Sequence, residues 1–162
     1  MSFTIRPLHK LDVDRVIALC SAIQPECVRD LEEYLRRFDE PERMASASLC
    51  QWAVVENSSQ QLIGYAVCWN VVRRKYRMGL IVHSDWRKRG IGGGLLGALL
   101  AALQSTPAAT LQARAWDDQT DSLQFLRRRG FVETHRMVEL HLILSEADLA
   151  PLAELPRSLT AQ

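Results

Sequence analysis

Apolar residues recur along the chain with two different periods, and the change from one to the other orders the elements. Val16, Leu19, Cys20 and Ile23 stand three or four apart, which puts them on one side of a helix. Leu31, Tyr34, Leu35 and Phe38 repeat that spacing after Pro25, whose missing N–H costs nothing at a helix start. Asp12 is placed as the N-cap of the first helix, with Leu11 and Val16 as a hydrophobic staple. Ahead of it, residues 3–6 read as a short strand. A polar, proline-containing connection covers 39–47.

The middle of the chain shortens the period. Residues 51–56 and 62–71 are rich in β-branched and aromatic residues, and the polar run 57–61 between them predicts a hairpin. A second turn at 72–74 leads to a strand over 75–82. That strand carries Gly79 in its interior, which marks a bulge or a close backbone approach. After His83, Ser84, Asp85 and Trp86 comes a glycine-rich turn. A helix follows, with Ile91, Leu95, Ala98, Leu99, Ala102 and Leu103 on one face. Residues 110–116 read as a strand, and 120–129 as a helix stopped by Gly130 as its C′ residue. Closing strands are expected over 131–134 and 137–144, paired through a tight turn at His135 and Arg136. This order predicts a mixed α/β sheet with helices on its faces.

A length of 162 residues suggests one domain, and 48% hydrophobic residues are enough for a core. The net charge of +1 argues against a nucleic-acid partner. The most apolar stretch, 91–103, is too short and glycine-rich to span a bilayer. The first ten residues lack the continuous apolar run of a signal peptide. Cys20, Cys27, Cys50 and Cys68 form no CxxC pair and no metal-ligand pattern, so they read as reduced thiols, mostly buried. The expectation is a soluble, cytoplasmic protein without structural metal.

The segment Arg87-Lys88-Arg89-Gly90-Ile91-Gly92-Gly93 carries the clearest chemistry. A strand ends, the chain turns and a helix begins within a few residues. The first N–H groups of a helix lack intrahelical acceptors, and the helix dipole adds partial positive charge there. Gly90 and Gly92 bring no side chain, so a phosphate can reach the backbone. Three basic residues line the rim. The segment lacks the GxxxxGK[ST] pattern of a P-loop, and a G-x-G-x-x-G frame from Gly90 has Leu95 in its last place. A turn that merely packs the helix close to the sheet would leave the basic run unexplained.

Val82, then Arg87-x-x-Gly90-x-Gly92, then an apolar helix, resembles motif A of the GNAT N-acetyltransferase family. Leu62-Ile63-Gly64-Tyr65-Ala66 is similar to that family's third strand, and FLRRRGF over 125–131 to its motif B. The resemblance implies a GNAT-like α/β (α+β) fold: a mixed, mostly antiparallel sheet of about seven strands flanked by about four helices. It further implies a single domain over 1–145 with a tail over 146–162, and acetyl-CoA as co-substrate of an N-acetyltransferase. Leu80, Ile81 and Val82 would present backbone groups to the pantetheine arm, on a strand splayed from the next by a bulge for which Gly79 is a candidate. Arg87, Lys88, Arg89, Gly90, Ile91, Gly92 and Gly93 would hold the pyrophosphate. Lys88, Arg89 or the run Arg127-Arg128-Arg129 would meet the 3′-phosphate, although that run reads first as a solvated helix end.

The family's usual acid and base do not carry over. Leu126 stands where motif B often has tyrosine, and Gln119 where an asparagine often lies. Residues 76–82 hold no carboxylate. Asp117, Asp118, Tyr76 and Glu139 remain candidates for proton transfer, each with a plainer alternative. Asp117 and Asp118 suit a turn or an N-cap, and Tyr76 and Glu139 suit a solvent-facing strand position. His83 suits a polar strand end. The resemblance places the acceptor near Gln24, Glu26, Arg29, Tyr34, Arg37, Trp69 and Arg136, a set that points to no single substrate. Expected partners are an amine-bearing small molecule or protein, with neither nucleic acid nor membrane, and a homodimer left open. A catalytically silent acyl-CoA-binding module is the alternative.

Overall fold

The computed structural model describes residues 2–23, 50–106 and 110–138. The chain divides into two compact units, Met1–Trp116 and Asp117–Gln162.

The first unit is built on a five-stranded sheet in the order β1-β2-β3-β4-β5. The strands are β1 (Phe3–Pro7), β2 (Cys50–Glu56), β3 (Leu62–Val72), β4 (Lys75–Val82) and β5 (Thr110–Ala113). The first four pair antiparallel, and β5 joins β4 in parallel. This is the mixed, mostly antiparallel sheet of a GNAT-like α/β fold, with five strands among the described residues. Among the described residues, two α-helices accompany it, α1 (Val13–Ile23) and α2 (Ile91–Leu103). The helix read after Pro25, the connection 39–47 and the acceptor-side residues Gln24, Glu26, Arg29, Tyr34 and Arg37 lie outside the described residues, as do Cys27 and Glu139.

Strand alternation sorts the sheet into two faces. Ala53, Tyr65 and Val67 pack with Val16, Leu19 and Cys20 of α1, and Trp69 and Ile81 join their rim. Ile91, Leu95, Leu96, Leu99 and Leu103 are the buried stripe of α2. Gly64 lies under that helix, where an added Cβ would stand 3.0 Å from Val54 Cγ2 and 3.3 Å from Ile91 Cγ2. Tyr65 donates its hydroxyl to Gln51 Oε1 at 2.8 Å, which satisfies both polar groups inside the core.

Several sequence expectations change. Leu11 is 86% exposed, so no staple forms with Val16. Asp12 closes a 3-10 turn, Lys10–Asp12, rather than simply capping α1. Its buried carboxylate accepts from Arg6 at 2.6 and 3.0 Å, from Arg15 at 3.2 Å and from the His9 N–H at 3.0 Å. Burial pushes the Asp12 carboxyl up, but these donors outweigh it and hold the group below its ordinary value. Cys20 and Cys68 are buried and Cys50 is half-buried. Cys50 and Cys68 stand directly opposite each other on β2 and β3. Burial, then the neighbouring Cys50, pushes the Cys68 thiol up to about 12.

The second unit contains α3 (Thr120–Arg127), which ends earlier than the sequence suggests. Gly130 has φ 81° and the Phe131 N–H donates to the Leu126 carbonyl at 3.2 Å, the left-handed C-terminal cap expected of Gly130. Residues 131–138 form no strand, contrary to the expected closing pair. Val132, Met137 and Val138 are more than 70% exposed, and no ladder partner faces them among the described residues. The rest of that expected pair lies outside the described residues.

Candidate functional site

The strand β4 is paired along its whole length on one side and along half of it on the other. Its ladder with β3 runs from Lys75 to Val82, whereas its ladder with β5 stops at the Met78–Ala113 pair. Beyond Ala113 the chain leaves strand geometry, so the reading of 110–116 as one strand is too long. Residues Gly79, Leu80, Ile81 and Val82 thus have no strand beside them on the β5 side among the described residues. This fork needs no bulge at Gly79. The β3–β4 register passes unbroken through Val67 and Gly79, and its irregularity falls at Asn70 and Val72, beside the turn.

The register also says which backbone groups the fork exposes. The His83 N–H donates to the Ile63 carbonyl at 2.9 Å, which makes these two a hydrogen-bonded pair. Such pairs alternate along an antiparallel ladder. Ile81 with Tyr65, and Gly79 with Val67, are therefore hydrogen-bonded pairs too, and their groups are engaged with β3. The N–H and C=O of Leu80 and Val82 point the other way, into the fork. Of the expected trio, Ile81 contributes its side chain to the core rather than backbone groups to the fork.

The strand runs directly into the turn. A 3-10 turn, Ser84–Trp86, is followed by Arg87, Lys88, Arg89 and then α2. His83 is the strand end expected, and its Nδ1 accepts from the Asp85 N–H at 3.3 Å. Lys88 has φ 62° and Gly90 has φ 84°, two left-handed residues that reverse the chain within a few positions. Gly90 is the N-cap of α2 and offers no side-chain cap. The first helical bond is from Gly94 N–H to the Gly90 carbonyl, 2.9 Å. The N–H groups of Ile91, Gly92 and Gly93 precede it and have no acceptor among the described residues. A Cβ on Gly90 would meet nothing within 4 Å, so the approach to these amides is open. By contrast, a Cβ on Gly94 would stand 2.6 Å from Ile5 Cδ1, so that glycine serves packing.

The basic residues of the turn are partly engaged with the protein itself. Arg87 Nε donates to the Val82 carbonyl at 3.3 Å. The Arg89 guanidinium lies over the Trp86 ring, 4.9 Å from its centroid, a cation–π contact. Neither contact was legible in the sequence, because each depends on the path of the turn.

The candidates for proton transfer fare unevenly. Tyr76 is 3% exposed, so it does not face solvent; it lies on the sheet face that also carries Met78. Asp117 and Asp118 are exposed residues of the second unit, in a turn ahead of α3. The N-cap there is Gln119, not either aspartate. An open cavity of about 580 Å³ in that unit is lined by Asp117, Thr120, Leu123, Gln124, Arg127 and Arg128. Arg127 lies 3.6 Å from Glu133, and Arg129 stacks on Phe125 at 3.8 Å. Arg136 is paired with Glu133 at 3.2 Å.

Comparison with known proteins agrees with this architecture. A family model described as an acetyltransferase (GNAT) domain matches residues 2–132. No curated protein sequence matches the chain. Among solved structures, a GNAT-family acetyltransferase from Staphylococcus aureus Mu50 superposes with a TM-score of 0.71 at 16% identity, over 83% of this chain and 86% of that one. Glucosamine-6-phosphate N-acetyltransferase from Arabidopsis thaliana gives 0.68 at 16% identity, over 87% and 99%. AAC(6')-Iy, solved with a bisubstrate analogue of CoA and acetylneamine, gives 0.65 at 18% identity, over 88% and 99%. With the forked sheet, the uncapped α2 and a family model spanning most of the sequence, this chain belongs to the GNAT acetyltransferase family.

Proposed function

We propose that this protein is an acetyl-CoA-dependent N-acetyltransferase acting on an amine of a small molecule or protein. The observation that carries the reading is the continuity of the unpaired half of β4 with the bare amides of α2. Leu80 and the N–H of Val82 offer backbone groups to an extended amide-bearing chain, as an edge strand would. Ile91, Gly92 and Gly93 offer N–H groups to a diphosphate, beside the positive end of the helix. A ligand that is a diphosphate at one end and an amide-bearing arm at the other fits this order. Lys88, Arg89 or the run Arg127-Arg128-Arg129 would meet a further phosphate.

Acetyl-CoA, as co-substrate, supplies the thioester. The chain supplies position: amine attack on a thioester gains most from alignment with a deprotonated amine. No acid or base is assigned within β4, which holds no carboxylate, and Leu126 has no transferable proton. The protein is read as cytoplasmic; among the described residues, no helix is long and apolar enough to cross a membrane. The test measures acetyl-CoA binding by calorimetry and thiol release with a panel of amines. Binding with turnover is expected. Binding without turnover on any amine would instead favour a silent acyl-CoA-binding module, and absence of binding would end both readings.

A further inference from the structure

Arg77 is a half-buried cation with no anionic partner among the described residues. Its Nε is fully enclosed and makes no hydrogen bond, and no carboxylate pairs with the guanidinium among the described residues. Other well-covered charges are treated differently here. Asp12 is met by Arg6, Arg15 and a backbone N–H. An N–H withdrawn from water is normally compensated by a hydrogen-bonded partner.

Its position explains what the missing partner is for. Arg77 stands opposite Trp69 on β3 and level with Gln112 on β5. Met78, the next residue, makes the last pairing with β5, so Arg77 sits just inside the vertex of the fork. It shares a face with Gly79 and Ile81, and Ile81 packs against the α1 core, so this is the α1 side of the sheet. Gly79 brings no side chain to that face at the position where the strands part. Arg77 therefore stands two residues before the first unpaired position, Gly79, on the α1 side of the sheet.

We infer that Arg77 binds an anionic group of the acceptor, so that the preferred substrate is an amine bearing a carboxylate or a phosphate. The inference rests on the acetyl-transfer reading of the fork. The planar fork of a guanidinium matches either anion with two parallel hydrogen bonds. The same charge repels polycationic amines, so aminoglycoside-like acceptors are disfavoured.

The experiment is a calorimetric titration of matched amines into the intact protein, with and without CoA. The pairs are glycine, serine and phenylalanine against their carboxamides, and glucosamine 6-phosphate against glucosamine. Wild type, Arg77→Gln and Arg77→Lys are compared, with a thermal melt of each. In at least one pair the anionic member is expected to bind tenfold or more tightly than its neutral partner. Arg77→Gln removes that gap while leaving CoA affinity unchanged, and Arg77→Lys keeps part of it. The pairs that respond distinguish a carboxylate from a phosphate. If no anionic amine outbinds its partner, or if Arg77→Gln keeps the gap, the inference falls. Failure of wild type to bind CoA would overturn the cofactor reading, and the titrations without CoA would still decide the role of Arg77.

Discussion

The Nε of Arg87 donates to the carbonyl of Val82 across 3.3 Å, tying the first residue of the basic turn to the last residue of β4. One side chain thus links the strand to the helix start it feeds. Arg87→Ala removes this strut and a positive charge from an exposed position. Acetyl-CoA affinity should fall about tenfold, equivalent to about 1.4 kcal/mol. The melting temperature should move by only a few degrees, because no core contact is lost. Calorimetry and a thermal melt on one preparation check both.

Gly90 combines a left-handed backbone with open space. Gly90→Ala should lower stability by about 1–2 kcal/mol through backbone strain alone, read from urea unfolding. Gly90→Glu adds a carboxylate beside the bare amides and should abolish acetyl-CoA binding. An unchanged dissociation constant in the glutamate variant would refute the diphosphate site.

Two further glycines should respond to alanine with opposite signs. At Gly64 a Cβ would press on Val54 and Ile91, stiff β-branched side chains in the core. Gly64→Ala should cost about 1–3 kcal/mol by overpacking. Gly97 is exposed within α2, where a Cβ would meet nothing within 4 Å. Gly97→Ala should gain about 0.5–1 kcal/mol from the helical preference of alanine. Equilibrium unfolding in urea separates the two.

Acid should unfold the protein in a defined window. Burial raises the Asp12 carboxyl, but the hydrogen bonds and charges of Arg6 and Arg15 bring it below its ordinary value. Hydrogen bonds from Ser58 and Ser59 hold Glu56 at about 2. A carboxyl whose folded value is depressed contributes stability that is complete above its unfolded value, near 4. That contribution is lost as pH falls through the folded values, so stability should decline between about pH 4 and pH 2. Asp12→Asn should cost about 2 kcal/mol at pH 7 and flatten the decline, which urea midpoints at pH 7, 4 and 2.5 would show.

Local rules made much of this protein legible from its residues. The run 75–82 reads as a strand and is β4 to the residue. Gly90, on sequence grounds a place for close backbone approach, is a left-handed N-cap with no side chain to spare for its helix. Gly130 ends α3 as its chemistry requires, since only a left-handed residue lets the following N–H reach back to Leu126. Periodicity and glycine placement act within a few residues, so they survive without knowledge of the fold.

The fork is different. Nothing in residues 110–116 says that pairing with β4 stops at Ala113, because a ladder ends where two distant segments diverge. The phase of the β3–β4 register decides that Leu80 and Val82, and not Ile81, face the opening; a shift of one residue would exchange them. Tyr76 looks like a surface residue by type and is buried, and Arg77 looks solvated by type and has a buried, unmatched nitrogen. Sequence alone determined where a helix begins on glycines without a side-chain cap, because helix ends and glycines carry that property themselves. The tertiary structure decided which strand edge lies open beside it and which arginine has an enclosed, unmatched nitrogen, because both depend on how separate strands align in space.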